Sequence, residues 1–182
     1  MAVPKRHKSV PGTYFVTSRT WESRAIFKTA PSCEIFIASL EHYRDQGAYQ
    51  LLEFVLMPDH FHVLLTPAAD TALERAVQFI KGGSAKAIRD ALSFRFPVWQ
   101  RGFSDHRIRD LADYESHVRY IDENPAKKLL AMSAGEYPWC SARGTFRMDD
   151  VPQGLKPLTQ ARRIGTAEAC PDEIQRPGSL AS

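Results

Sequence analysis

Cysteine is scarce and scattered. The chain has three, Cys33, Cys140 and Cys170, and no CxxC pair among them. That count and spacing exclude a disulfide framework and a cysteine-built zinc cluster, and they fit a reducing, cytoplasmic setting. Long apolar runs are missing as well. No stretch approaches about 18 apolar residues, and the basic opening MAVPKRHKSVPG passes into Pro and Gly, so neither a membrane span nor a secretory leader is expected. Internal repeats are absent, and so is a strong charge bias: 24 Lys and Arg against 21 Asp and Glu leave a net +3. What remains is an ordinary globular composition, 43% hydrophobic and 25% charged over 182 residues. It suits one domain with an appendage and is too short for two full-sized ones.

The charge is segregated along the chain. Residues 1–30 carry Lys5, Arg6, Lys8, Arg19, Arg24 and Lys28 against Glu22 alone, whereas residues 31–70 carry Arg44 against six acids. Residues 71–109 turn basic again, with Arg75, Lys81, Lys86, Arg89, Arg95, Arg101, Arg107 and Arg109. Two basic segments of this kind converge on a polyanion if the fold brings them together; otherwise they form a solvated face.

Periodicity predicts alternating strands and helices. Thr13–Ser18, β-branched and aromatic after Pro-Gly, is a first strand, and Pro31–Gln46 is a helix with Ser32 as N-cap, closed by Gly47. Residues Tyr49–Met57 and Phe61–Thr66 are two strands joined tightly through Pro58-Asp59. A long helix runs from Thr71 to Leu92, with Gly82-Gly83 expected to bend or break it. An extended piece at Val98–Arg101 leads to a last strand over Phe103–Ile108. A helix then starts at Asp110 and is expected to stop at Asn124-Pro125, followed by a short turn over Ala126–Ala131. This order predicts an α+β, ferredoxin-like split βαβ fold: a four-stranded antiparallel sheet with helices on one face and the helix carrying Tyr120 against the other. Periodicity fades beyond about residue 145, so residues 1–145 are read as the folded domain and 146–182 as a partly disordered C-terminal extension.

Two places carry chemistry. His60 and His62 stand at i and i+2 on a strand, so alternation sends both imidazoles to one sheet face and Phe61 to the other, a sound start for a divalent metal site. With six histidines in the chain, the pair alone also fits two hydrogen-bonded core residues. Tyr120 and Asn124 lie four residues apart on a helix, which puts a phenol and an amide on one face. A phenol can act as a nucleophile and an amide oxygen can complete a metal shell, but an amphipathic tyrosine and a helix-ending asparagine would look the same.

Three ordered blocks sharpen the reading. FVLMPDHFHVLL at 54–65, WQRGFSDHRIR at 99–109 and HVRYIDENPAKK at 117–128 together resemble the HUH-type single-strand DNA transposases, most closely the REP-associated tyrosine transposases, over about residues 12–143. The resemblance implies His60 and His62 as metal ligands, Tyr120 as nucleophile and Asn124 as a further ligand. It implies a Mg2+ or Mn2+ ion and cleavage and rejoining of single-stranded, hairpin-forming repeat DNA through a 5′-phosphotyrosine intermediate. Arg6, Lys8, Arg19, Lys81, Lys86, Arg101 and Arg107, together with Lys5, are candidate phosphate contacts, with Trp99 or Phe103 as stacking surfaces, Trp99 fitting a core position equally well. Asp105 and His106 are read first as a strand-end hydrogen-bonding pair, and otherwise as groups that orient a metal ligand or contact DNA. The chain departs from the family pattern at Asp59, where Asn is common, at Ser104, where an aromatic is frequent, and at Ala126-Lys127-Lys128, where Val-Lys-His is usual. Two other readings stay open: a hairpin-binding protein that organises repeats without turnover, and a histidine-metal phosphodiesterase that uses water. Monomer and homodimer are both compatible with the sequence.

Overall fold

A computed structural model describes residues 10–155. The elements follow the order β1 (Tyr14–Arg19), α1 (Ala30–Asp45), β2 (Tyr49–Met57), β3 (His60–Pro67), α2 (Leu73–Leu92), β4 (Ser104–Arg107) and α3 (Leu111–Lys127). The four strands form one antiparallel sheet in the order β2-β3-β1-β4, the split βαβ arrangement, with α3 added after the last strand.

The sheet separates two apolar layers. On one face Tyr14, Val16, Phe61, Val63 and Leu65 pack with Phe36, Leu40, Ala76, Val77 and Ile80 of α1 and α2. On the other, Leu52, Val55, Met57 and Leu64 meet Tyr114 and Ile121 of α3. Strand alternation accounts for β1 and β3, and a β-bulge between Leu51 and Glu53 resets it in β2, so Leu51, Phe54 and Leu56 share a face. The outer edge of β2 is covered rather than left open. Val55 bridges Cys140, the Leu56 N–H donates to the Trp139 carbonyl at 2.9 Å, and Tyr137 Oη donates to the Leu56 carbonyl at 2.9 Å. The chain stays docked beyond that: Phe146 packs edge-on to Phe54, and the Asp149 carboxylate receives Arg44 Nε and Nη2 at 2.8 and 2.7 Å and the Leu51 N–H at 2.8 Å.

Three local expectations are corrected. First, α2 runs unbroken through Gly82-Gly83, and α1 side chains press on Gly83: a Cβ there would lie 2.3 Å from Tyr43 Cε2 and 2.9 Å from Ser39 Oγ. The glycine permits helix packing that outweighs its low helix propensity. Second, α3 continues past Asn124-Pro125 to Lys127, with Ile121, Asn124 and Pro125 all buried. Proline here removes one hydrogen bond in the final turn of a helix held down by its buried face. Third, the N-cap of α1 is Thr29; Ser32 sits inside the first turn and donates to the Ile26 carbonyl at 2.9 Å. Trp99, a candidate stacking surface, is a core residue, ringed by Phe27, Phe36 and Phe61, with Nε1 donating to Ser84 Oγ at 3.1 Å.

The two glycines of α2 should therefore respond oppositely to alanine. Nothing lies within 4 Å of a Cβ at Gly82, so Gly82→Ala should stabilise the fold by about 0.5–1 kcal/mol. Gly83→Ala should destabilise it by about 1–3 kcal/mol as the Tyr43–Phe79 stack is displaced. Urea unfolding of the two variants measures both.

Candidate active site

On the α3 face of the sheet, a pocket of about 350 Å3 is lined by Thr17, Arg19, Met57, Pro58, Asp59, His60, His62, Tyr120, Asn124, Lys128 and Leu130. Its position follows from the strand register. His60 and His62 project to the same side of β3, and on the neighbouring strand Arg19 pairs with His60 and Thr17 with His62. From the opposite wall, α3 supplies Tyr120 and, one turn later, Asn124. The two imidazole rings are 4.8 Å apart between centroids, and the Tyr120 ring stands edge-on to His62 at 5.1 Å. Tyr120 is 43% exposed, so its hydroxyl is accessible, whereas Asn124 is buried.

Each imidazole is held at one nitrogen. Thr17 Oγ1 lies 2.7 Å from His62 Nδ1, and Asp59 Oδ1 lies 2.6 Å from His60 Nδ1. His62 Nε2 is buried and has no hydrogen-bond partner, one of three such side-chain atoms among the described residues. Leaving a buried polar atom unpaired costs about 1–3 kcal/mol, which suits a site shaped for a ligand. Burial, reinforced by the nearby His60 and Arg19, pushes the His62 pKa down to about 3. The ring is therefore neutral and keeps a lone pair at physiological pH. Two neutral-capable imidazoles, each braced at Nδ1, with a buried amide close by, are a donor set that fits a divalent cation. A bracing carboxylate on a ligand histidine is a familiar second partner in metal sites, and here Asp59, a departure from the family pattern, provides it.

The proposed phosphate contacts are dispersed. Arg19 stands in the pocket wall, and Arg101 lines a separate groove with Trp21, Pro97 and Trp99. Arg107 is exposed on β4 and donates to the Pro11 carbonyl at 3.2 Å. Lys81 donates to the Gln100 carbonyl at 2.8 Å and also to that of Gly102, and burial lowers its pKa to about 8, so its ammonium braces a loop. Lys86 pairs with Asp90 on α2, on the far side of the sheet from the pocket. Lys5, Arg6 and Lys8 lie outside the described residues. Phe103 packs partly buried against the α1–α2 core. His106 bonds to Asp113 on α3, at 2.9 Å.

Sequence reasoning missed Thr17 and Lys128. Thr17 has no motif of its own; only the β1–β3 register sets it opposite His62. Lys128 was visible in its segment, but its place at the pocket depends on α3 running past Pro125.

Fold and pocket together define a class: an antiparallel βαββαβ domain with a paired-histidine, single-tyrosine pocket on the face opposite its two packing helices. A family model described as "Transposase IS200 like" matches residues 13–124, more than half the chain, and the chain belongs to that family. It is 28% identical over 162 residues to the REP-associated tyrosine transposase of Escherichia coli (strain K12), covering 88% of this chain and 92% of that one. It is 24% identical over 123 residues to a putative REP-associated tyrosine transposase of Haemophilus influenzae, covering 62% of this chain and 68% of the relative. Among solved structures, a REP-associated tyrosine transposase bound to a REP hairpin superposes with a TM-score of 0.63 at 23% identity, covering 90% of this chain and 99% of the other, which bears out the fold. A likeness spanning 88% of the chain cannot end at residue 145, so the resemblance runs further toward the C-terminus than the sequence blocks indicated. No helix among the described residues is long and apolar enough to cross a membrane.

His62 should remain uncharged from pH 8 to about pH 4 in an NMR titration of the imidazole resonances; a midpoint near 6.5 would contradict its burial. An unfolded histidine titrates near 6.5, so the depressed value makes this group's contribution to stability complete above that pH and progressively lost as pH falls toward 3. His62→Gln should remove that share of the acid sensitivity.

Proposed function

We propose that this chain cleaves and rejoins single-stranded DNA carrying a hairpin-forming repeat, through a covalent 5′-phosphotyrosine at Tyr120. The reading rests chiefly on one observation: His62, whose buried Nε2 has no hydrogen-bond partner, lines the same pocket as the exposed Tyr120. His60, His62 and Asn124 would hold a Mg2+ or Mn2+ ion, and imidazole ligands favour manganese of the two. Such a cation supplies positive charge to a non-bridging oxygen of the target phosphate.

The chain's own groups do the rest. Thr17 and Asp59 fix the tautomer and orientation of the two rings. Arg19 and Lys128 add positive charge to the pocket wall where a phosphate would enter. The Tyr120 oxygen attacks phosphorus in line and gives up its proton; the P–O3′ bond breaks, and the leaving oxygen takes up a proton to become a free 3′-hydroxyl. Bond energy is kept in the phosphotyrosine ester, so attack by another 3′-hydroxyl restores a phosphodiester and frees the phenol without a nucleotide cofactor. Trp21, half-buried in the groove beside Arg101, offers a stacking face for an unpaired base. The hairpin as partner is supported by the relatives, of which one is solved with a REP hairpin. The unpaired, buried Cys33 and Cys140 suit a reducing cytoplasm.

Incubation with Mn2+ and an oligonucleotide containing the repeats that flank the coding region should give a covalent protein–DNA adduct on a denaturing gel. Tyr120→Phe should abolish it. Cleavage that survives in Tyr120→Phe would assign the chemistry to water, and tight binding without adduct under any divalent ion would leave a binding protein. Thr17→Val, which removes the partner of His62 Nδ1, should weaken Mn2+ binding by about 10–100-fold in calorimetry while the fold persists.

A further inference from the structure

A second constellation of ligand-type side chains lies beyond the pocket, and nothing in the proposed chemistry uses it. His106 on β4 and Asp113 and His117 on α3 bring one ligand atom each to within 4.8 Å of one another. His106 Nε2 is 3.1 and 2.9 Å from the two oxygens of Asp113, and His117 Nδ1 is 3.3 Å from Asp113 Oδ1. The two imidazoles are stacked, 4.8 Å apart and 19° from parallel. Asp113 is 10% exposed at its side chain and His117 is 21% exposed, so the carboxylate is sheltered while the mouth of the cluster stays reachable.

From these distances we infer a transition-metal site of the zinc class at His106, Asp113 and His117, separate from the pocket at His60 and His62. Ligand atoms about 2.0–2.1 Å from a tetrahedral ion stand roughly 3.3 Å from each other. The nitrogen–oxygen separations of 2.9 to 3.3 Å already approach that spacing, and only the two nitrogens need to draw closer. Two imidazoles and one carboxylate select zinc, cobalt or nickel over magnesium, which prefers an all-oxygen shell. The ion takes the place of the N–H proton that His106 Nε2 directs at the carboxylate and of the one that His117 Nδ1 directs at the Asp113 carbonyl; as each leaves to solvent, the other nitrogen of that neutral ring takes one up. Two local contacts yield to it. Arg109 Nε, 3.2 Å from Asp113 Oδ2, belongs to a side chain that is 75% exposed and can turn away. His117 Nδ1 gives up its 2.8 Å bond to the Asp113 carbonyl, made within its own helix.

Such an ion would tie the edge strand β4 to α3, the helix that carries Tyr120. His117 lies one turn ahead of Tyr120, and its ring contacts Phe15 at 4.7 Å; Phe15 in turn stacks on His62 at 5.3 Å and touches Tyr120 at 5.7 Å. Occupancy would fix the floor of the pocket without entering it.

The test uses the full chain stripped of metal and titrated with Zn2+ by calorimetry, and with Co2+ by visible absorption. The wild type should bind two zinc ions, and the His60→Ala/His62→Ala protein should still bind one. In that protein His117→Gln or His106→Gln should weaken the remaining ion by more than about tenfold, and in the otherwise wild-type chain either variant should leave the pocket site intact and hold one ion. Zinc should also raise the melting temperature of the His60→Ala/His62→Ala protein, and this rise should vanish when His117→Gln is added. Loss of all zinc binding in the His60→Ala/His62→Ala protein, or zinc binding there that is unaffected by both His106→Gln and His117→Gln, would overturn the inference. Neither result depends on adduct formation at Tyr120, so the two readings fail separately.

Discussion

A single hydrogen bond orients everything around it: the Thr17 hydroxyl on Nδ1 of His62. It consumes one nitrogen of a buried ring and leaves the other bare, a state that costs free energy unless something electropositive completes it. The antiparallel pairing of β1 with β3 sets this bond, since a slip of one residue would turn Thr17 into the opposite apolar layer and put Val16 or Ser18 beside His62. Pocket chemistry and sheet register are thus one constraint. The same pairing puts Arg19 opposite His60, so one cation of the pocket wall, the two imidazoles and the Thr17 hydroxyl come from four positions on two adjacent strands.

The second requirement is that α3 reach the sheet from the side opposite α1 and α2. Ile121 at the centre of the α3 contact is fully buried, and the aromatic and apolar residues around it come from β2 and from the segment at 137–140 that seals the β2 edge. Two acids lie on this face as well. Glu53 and Asp122 are partly buried, and burial raises both carboxyl pKa values, Glu53 receiving a hydrogen bond from Ser141 Oγ at 2.6 Å. The interface that holds the tyrosine helix therefore joins an apolar core to two partly buried acids, while the far layer is rich in aromatic packing with Phe36, Phe61 and Trp99.

Much of this was legible in the residues. Alternation through His60-Phe61-His62 correctly put both rings on one face and Phe61 on the other, because a period of two leaves no alternative once a strand is assigned. The four-residue spacing of Tyr120 and Asn124 likewise survived into the pocket. What escaped the sequence depends on pairing between distant segments. Gly83 reads as a helix breaker until Tyr43 is seen pressed against it, and Pro125 reads as a stop until the burial of Ile121 and Asn124 is known. Lys81 looks like a phosphate contact in a basic run, yet two loop carbonyls engage it. The His106–Asp113–His117 cluster was half visible: Asp113 and His117 have helical i,i+4 spacing, but only the tertiary fold brings His106 to them.

The most direct measurement is anomalous diffraction from crystals of this chain soaked in Mn2+. An anomalous peak is expected within bonding distance of Nε2 of both His60 and His62, on the side facing the Tyr120 hydroxyl. A peak elsewhere with none between those rings, or a water or side chain bonded to His62 Nε2 at full occupancy in saturating Mn2+, would contradict it.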